Sequence, residues 1–226
     1  MRGVAGSFAA RLREMAEPIW AAQHAHPFVR GIGDGTLELA RFAHWVRQDY
    51  VFLVDYCRLF GLAAARAPDL ATMTRFAELL RETLVTEMAL HRSYAAEFAI
   101  TDAELEREVA SPTTRAYCDF LLRTATTGDY IELVAALTPC MWGFSEIGQR
   151  LAELPAPADA RYAAWVAMYA DPAFAELAGW CRDLLDRLAE GTAPSALAAA
   201  EGAFLTSSRL ELAFWDAAWR QEGWPV

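Results

Sequence analysis

The sequence predicts an all-α fold, a single-domain multi-helix bundle over residues 1–226, and three observations predict it. Ala and Leu supply 72 of the 226 residues while Val and Ile supply 15, a balance that favours helix and withholds the branched side chains that strands prefer. Apolar positions recur at spacings of three and four, the period of one helix face. Clusters of Gly, Pro, Asp and Thr separate the periodic blocks, as caps and turns require.

In chain order, the first block, 37–65, follows the turn Gly33-Asp34-Gly35-Thr36. Block 70–98 follows Pro68, 117–122 follows Pro112, and 130–151 follows Thr127-Gly128-Asp129. Block 162–169 follows the loop 155–159, 174–188 follows Asp171-Pro172, and 197–219 follows 191–195. Asp171 is placed as an N-cap with Pro172 at the first helical position. Pro139, inside 130–151, removes a backbone hydrogen bond and predicts a kink. The result is about eight helices joined by short loops. Helices this apolar need cover on more than one face. With eight Trp in the chain, a side chain favoured at interfaces, a homo-oligomer is expected.

Composition excludes several functions. The formal charge of -10 repels a nucleic-acid backbone or an anionic membrane surface. There is no Lys and no Asn, hence no Schiff-base or P-loop lysine and no N-glycosylation acceptor. Cys57, Cys118, Cys140 and Cys181 stand far apart without a CxxC pair, the pattern of reduced thiols rather than a zinc site or disulfide frame. The first twenty residues carry charges where a signal peptide is apolar, and no run of about 18 apolar residues occurs. A cytoplasmic protein with no membrane association is expected.

Three residues stand out chemically. Glu211 lies in SSRLELAFWDAAW with Phe214 and Trp215 at i+3 and i+4 and Ser208 and Ser207 at i−3 and i−4, a carboxyl on an apolar face. Burial there raises its pKa and makes it a proton donor near neutrality; the plainer alternative is an ion pair with Arg. Cys140 follows Pro139 with Phe144 at i+4, a thiol beside a ring, and the alternative is a small buried hydrophobe. Asp49 shares its face with Phe52 and Tyr56, and the alternative is pairing with Arg47. A flat heteroaromatic substrate suits a cavity of this kind. Glu87 and His91 share a face at spacing four, whereas di-iron bundles use two Glu-x-x-His pairs at spacing three. His24, His26 and His44 are expected to cap or pack, and no metal site is expected.

Six stretches in order, HPFVRGIGDGTLELARFAHWVRQDYVFL (26–53), the Glu87/His91 pair, PTTRAYCDFLL (112–122), AALTPCMWGFSEIG (135–148), WVAMYADPAF (165–174) and SSRLELAFWDAA (207–218), resemble the thiaminase II (TenA) family over nearly the whole chain. The resemblance implies a heme-oxygenase-like all-helical fold, usually a tetramer. It implies hydrolysis at the methylene carbon on position 5 of a 4-amino-2-methylpyrimidine, in thiamin or in its aminomethyl breakdown product, without metal or organic cofactor. Matched residue by residue, Cys140 is the nucleophile, Glu211 the acid/base and Asp49 the acid that hydrogen-bonds the aminopyrimidine. Phe52, Tyr117, Phe144, Tyr169 and Phe214 match the lining of the ring pocket.

Two positions depart from the family pattern: Phe144 stands where Tyr is common, and Phe52 where some members have Tyr. A missing hydroxyl alters discrimination between polar substrates. Two other readings belong to different classes: a metal- or quinone-linked oxidase using Glu87 and His91, and a non-catalytic regulator, against which the acidic charge and the lack of a basic recognition helix argue.

Overall fold

The computed structural model describes residues 6–225; residues 1–5 of the charged N-terminal stretch, and Val226, lie outside the described residues. Among the described residues there is no strand. The helices are α1 Phe8–His24, α2 Pro27–Asp34, α3 Leu39–Ala65, α4 Leu70–Glu82, α5 Met88–Glu97, α6 Asp102–Leu105, α7 Pro112–Thr127, α8 Tyr130–Ala152, α9 Ala160–Tyr169, α10 Pro172–Ala189 and α11 Pro194–Arg220.

Local chemistry sets the boundaries. Asp171 accepts the Ala173 amide at 2.7 Å with Pro172 at the first position, as the sequence predicts. Asp69 caps α4 through the Thr72 amide at 2.7 Å, and His26 caps α2 through Nδ1 and the Phe28 amide at 3.2 Å. Each such cap satisfies a backbone donor that the helix itself leaves open. Gly35 ends α2 in the left-handed region, φ 77°, where glycine alone is unstrained.

Three elements are absent from the periodic blocks. Helix α1 carries Pro18 and charges through its length, α2 is eight residues with two Gly, and α6 is a single turn. None is long enough or regular enough to show the helical period clearly. Block 70–98 is also more than one α-helix: a π-helical turn, Thr83–Glu87, joins α4 to α5. Such turns shift the register of the faces on either side and are frequent at functional sites.

Helix α8 is central, packing most extensively against α11 and α10 and also against α3, α7 and α9. It runs on as helix through Pro139. Carbonyls of the turn before the proline also take side-chain donors. Thr138 donates to Val134 O at 2.7 Å, Ser207 of α11 to Ala136 O at 2.7 Å, and Tyr56 of α3 to Leu137 O at 2.9 Å. The proline segment is thereby tied to two neighbouring helices at the level of Cys140.

The core comprises two apolar clusters. One includes Trp20, Phe52, Tyr56, Phe60, Phe76, Tyr117 and Phe204; the other includes Phe42, Trp45, Phe144, Trp165, Tyr169, Phe214 and Trp215. Burying each such ring contributes about 1.5–3 kcal/mol. Cys140 packs against both clusters and so marks their seam.

Gly148 seats α9 against α8. A Cβ there would lie 2.4 Å from the Tyr169 carbonyl carbon and 2.6 Å from its oxygen, backbone atoms that cannot swing aside. Gly148→Ala is expected to destabilise the fold by about 1–3 kcal/mol and to displace Tyr169. Thermal melting checks this, and an unchanged Tm would contradict the close contact.

Candidate active site

Asp49, Phe52, Cys140, Phe144 and Tyr169 line one cavity of about 340 Å³. Glu211, Tyr117 and Phe214 line a narrow recess beside it, which shares Asp49, Phe52 and Phe144 with the main cavity. All eight residues singled out in the sequence therefore converge, from α3, α7, α8, α9 and α11. The rings contact one another: Phe52 to Tyr117 at 5.0 Å between centroids, Phe52 to Phe214 at 5.9 Å, and Phe144 to Tyr169 at 4.9 Å. Aromatic pairs at these separations hold a rigid slot.

Glu211 is 2% exposed and, among the described residues, has no Arg partner. It accepts the Tyr117 hydroxyl at 2.6 Å. Tyr117 in turn lies 2.9 Å from Ser207, whose hydroxyl donates to Ala136 O at 2.7 Å. Three links join four groups. With Glu211 ionised two hydroxyl protons serve them, and with Glu211 protonated three protons fill all three. Burial pushes the Glu211 carboxyl up to about 7, against the lowering effect of the Tyr117 hydrogen bond, while the charge of Asp49 adds to the rise. It is poised to gain or lose a proton near neutrality.

Cys140 is partly buried and lines the cavity. Burial first, then the charges of Glu211, Asp49 and Glu87, hold its thiol well above the ordinary range; the neighbouring Tyr56 hydroxyl partly offsets them. The resting sulfur is a thiol. Any thiolate must form as its proton leaves for a neighbour, and Glu211 is the carboxylate whose charge acts most strongly on the thiol.

Asp49 does not pair with Arg47, which binds Glu108 at 2.9 Å. Its partner is His91, whose Nε2 lies 2.5 Å from Asp49 Oδ2, and whose Nδ1 lies 3.0 Å from the Glu87 carbonyl oxygen. Both ring nitrogens of His91 are thus held by protein oxygens. Among the described residues no group of three or more His, Cys, Asp and Glu is arranged to hold a metal ion.

Sequence reasoning left several participants out of the site. Tyr56, on the face of Asp49 and Phe52, stands beside the thiol. Ser207 completes the relay to Glu211; its place at i−4 was the available signal. Glu87, considered above only as a metal ligand, lines the cavity with Thr83 and Thr86, all three on the π turn. Burial pushes the Glu87 carboxyl up to about 7.

Residues 13–221 match the model of the TENA/THI-4/PQQC family. The chain belongs to this family. As a TENA/THI-4/PQQC protein it is 45% identical over 219 residues to the aminopyrimidine aminohydrolase of Halalkalibacterium halodurans, covering 96% of this chain and 98% of that one. A TenA homologue from P. horikoshii OT3 superposes with a TM-score of 0.88 at 30% identity, covering 96% of this chain and 100% of that one. A domain from Shewanella denitrificans with a heme-oxygenase-like fold superposes with a TM-score of 0.71 at 13% identity over 93% of this chain and 91% of that one, a likeness of fold alone. The fold is all-α and heme-oxygenase-like, and the TENA/THI-4/PQQC chain is a hydrolase. No helix among the described residues is long and apolar enough to cross a membrane.

Proposed function

We propose that the enzyme is an aminopyrimidine aminohydrolase of thiamin salvage, cleaving the bond at the methylene carbon on position 5 of a 4-amino-2-methylpyrimidine. One observation carries this reading: a thiol on α8 and an aspartate on α3 line one ring-walled cavity, and a carboxyl on α11 lines the recess beside it that shares that aspartate. The name borne by the Halalkalibacterium relative, 45% identical over nearly its full length, supports it.

Direct displacement at the methylene carbon is slow, because the leaving amine departs from a carbon that the intact aromatic ring does not activate. In the proposed sequence the Cys140 sulfur adds to ring carbon 6 as its proton passes to Glu211, and the ring gains an electron pair on the nitrogen beside that carbon. That pair moves through the ring and expels the amine, which takes the proton from Glu211 and leaves an exocyclic methylene. Water then adds to the methylene carbon, giving its proton to Glu211. Loss of sulfur restores the aromatic ring, and Glu211 returns the proton to the thiolate. The sum is aminomethylpyrimidine plus water giving hydroxymethylpyrimidine plus ammonia, with no cofactor consumed. Asp49 holds the ring edge and Phe52, Tyr117, Phe144, Tyr169 and Phe214 its faces, a positioning contribution worth several kcal/mol.

A panel of pyrimidines followed by mass spectrometry tests this, with thiamin and 4-amino-5-aminomethyl-2-methylpyrimidine side by side. The aminomethyl compound is expected to give the hydroxymethyl product. Inactivity on every 4-aminopyrimidine would overturn the assignment.

The whole chain is read as one domain acting as a cytoplasmic homotetramer, binding a small molecule and not nucleic acid. The free thiols, the acidic charge and outward apolar side chains such as Leu70, Val85 and Leu154 support that reading.

A further inference from the structure

His91 is wholly buried and does not line the cavity, and the steps above do not use it. We propose that His91 is a positioning residue that makes Asp49 an acceptor-only group, so that the site holds a 4-aminopyrimidine with a proton on the ring nitrogen beside the amine. The inference rests on the aminopyrimidine reading and goes beyond it by fixing the protonation state in which the ring is recognised.

Hydrogen counting carries the point. The Glu87 carbonyl, 3.0 Å from Nδ1, can only accept, so Nδ1 carries a hydrogen. The Nε2 to Oδ2 contact of 2.5 Å also holds a hydrogen, because two bare lone pairs would repel at that distance. That hydrogen belongs either to an imidazolium facing a carboxylate or to a carboxylic acid facing an imidazole. In both arrangements it lies between the two side chains. Oδ1 and the remaining lone pairs of Asp49 are left as acceptors.

A neutral 4-aminopyrimidine offers that edge one amine N–H and, beside it, a ring-nitrogen lone pair. The lone pair has no donor to meet. Once the ring nitrogen is protonated, two N–H groups stand side by side and match the two oxygens of a carboxylate, the bidentate geometry of strong charge-assisted pairs. The surroundings suit a cationic ring. Facing the Asp49–His91 pair are Glu87 from the π turn, Cys140 from α8, Tyr169 from α9, Glu211 from α11 and Tyr94 from the helix of His91 itself. Among the described residues no Arg pairs with Asp49. Burial alone would lower the proton affinity of His91, but its hydrogen bond to Asp49 and the charges of Asp49 and Glu87 outweigh it and raise it. A protonated ring is also electron-poor, so the pair delivered by sulfur enters without creating a ring anion. The proton comes from solvent on binding.

The test is ¹⁵N NMR of the hydroxymethyl product, labelled in the ring, bound to the wild-type enzyme at pH 8. The nitrogen beside the amine is expected to appear as N–H. His91→Leu, which removes the donor and leaves Asp49 free to hold the hydrogen itself and turn it to the ring, is expected to bind the product about 10-fold or more weakly and to lose the ring N–H signal. A neutral ring nitrogen in the wild-type complex overturns the inference, as does a variant that binds as tightly with the same ring state. Wild-type enzyme that turns over or binds no aminopyrimidine defeats the functional reading itself. Should His91→Leu fail to fold, the wild-type spectrum still decides.

Discussion

Cys140→Ala is expected to lower kcat/KM by roughly 10³- to 10⁶-fold, the scale on which enzymes lose rate when a covalent nucleophile is removed. The fold should survive, since the thiol is partly buried at a seam between two clusters and Ala leaves only a small gap. Binding of the hydroxymethyl product should be nearly unchanged, because ring recognition is assigned to Asp49 and the aromatic walls. Steady-state kinetics with calorimetric binding separates the two effects. Turnover near the wild-type rate would remove Cys140 from the chemistry; loss of product binding would make its role one of packing.

Glu211→Gln is expected to cost roughly 10²- to 10⁴-fold in kcat/KM. The thiol is held protonated by burial and by the surrounding carboxylates, so its proton must pass to an ionised Glu211, which titrates at about 7. Wild-type kcat/KM should therefore fall as pH drops below about 7, and the residual activity of the variant should lack that limb. A variant retaining the same acid limb would assign it to another group.

The same substitution reports on stability, with the sign fixed by linkage. An acid whose folded pKa is raised adds nothing below the unfolded value of 4.5. As pH rises from there towards about 7 the unfolded chain ionises before the native one, so stability falls. Above about 7 the whole penalty is present. The displacement from 4.5 to about 7 corresponds to roughly 3 kcal/mol at most. At pH 8 the Gln variant should be the more stable protein by up to that amount, and the gain should vanish near pH 4. Denaturant unfolding at the two pH values checks this; Glu87, also raised to about 7, contributes its own fall in both proteins. Higher stability with lost turnover is the signature of a group buried for its chemistry.

Much of this was visible before any coordinates. The Ala and Leu bias and the spacing of apolar residues gave the long helices, since α3, α8 and α11 each bury one broad apolar stripe over more than twenty residues. The odd polar residues on those stripes, Asp49, Cys140 and Glu211, were legible because a carboxyl or thiol among rings breaks the period. Helix α2 escaped because eight residues with two Gly carry little periodic signal. The π turn escaped because it spans only five residues, Thr83–Glu87, between two α-helical stretches. Helix α8 runs on as helix through Pro139, where a kink is expected, and Tyr56 and Ser207 donate to carbonyls in the turn before it across helix interfaces. The Asp49–His91 contact joins residues 42 apart. Sequence spacing within one helix cannot reveal such a pairing.

The central claim is that sulfur and carboxyl act on the same small ring. A crystal structure of the enzyme with the hydroxymethyl product bound tests it most directly. The account predicts Cys140 Sγ about 3–3.5 Å from ring carbon 6, the separation of a near-attack arrangement, with the Glu211 carboxyl within hydrogen-bond reach of the ring nitrogen next to that carbon or of the methylene substituent. A product seated against Asp49 with its ring carbon turned away from the sulfur, or lodged beyond reach of Glu211, would contradict it.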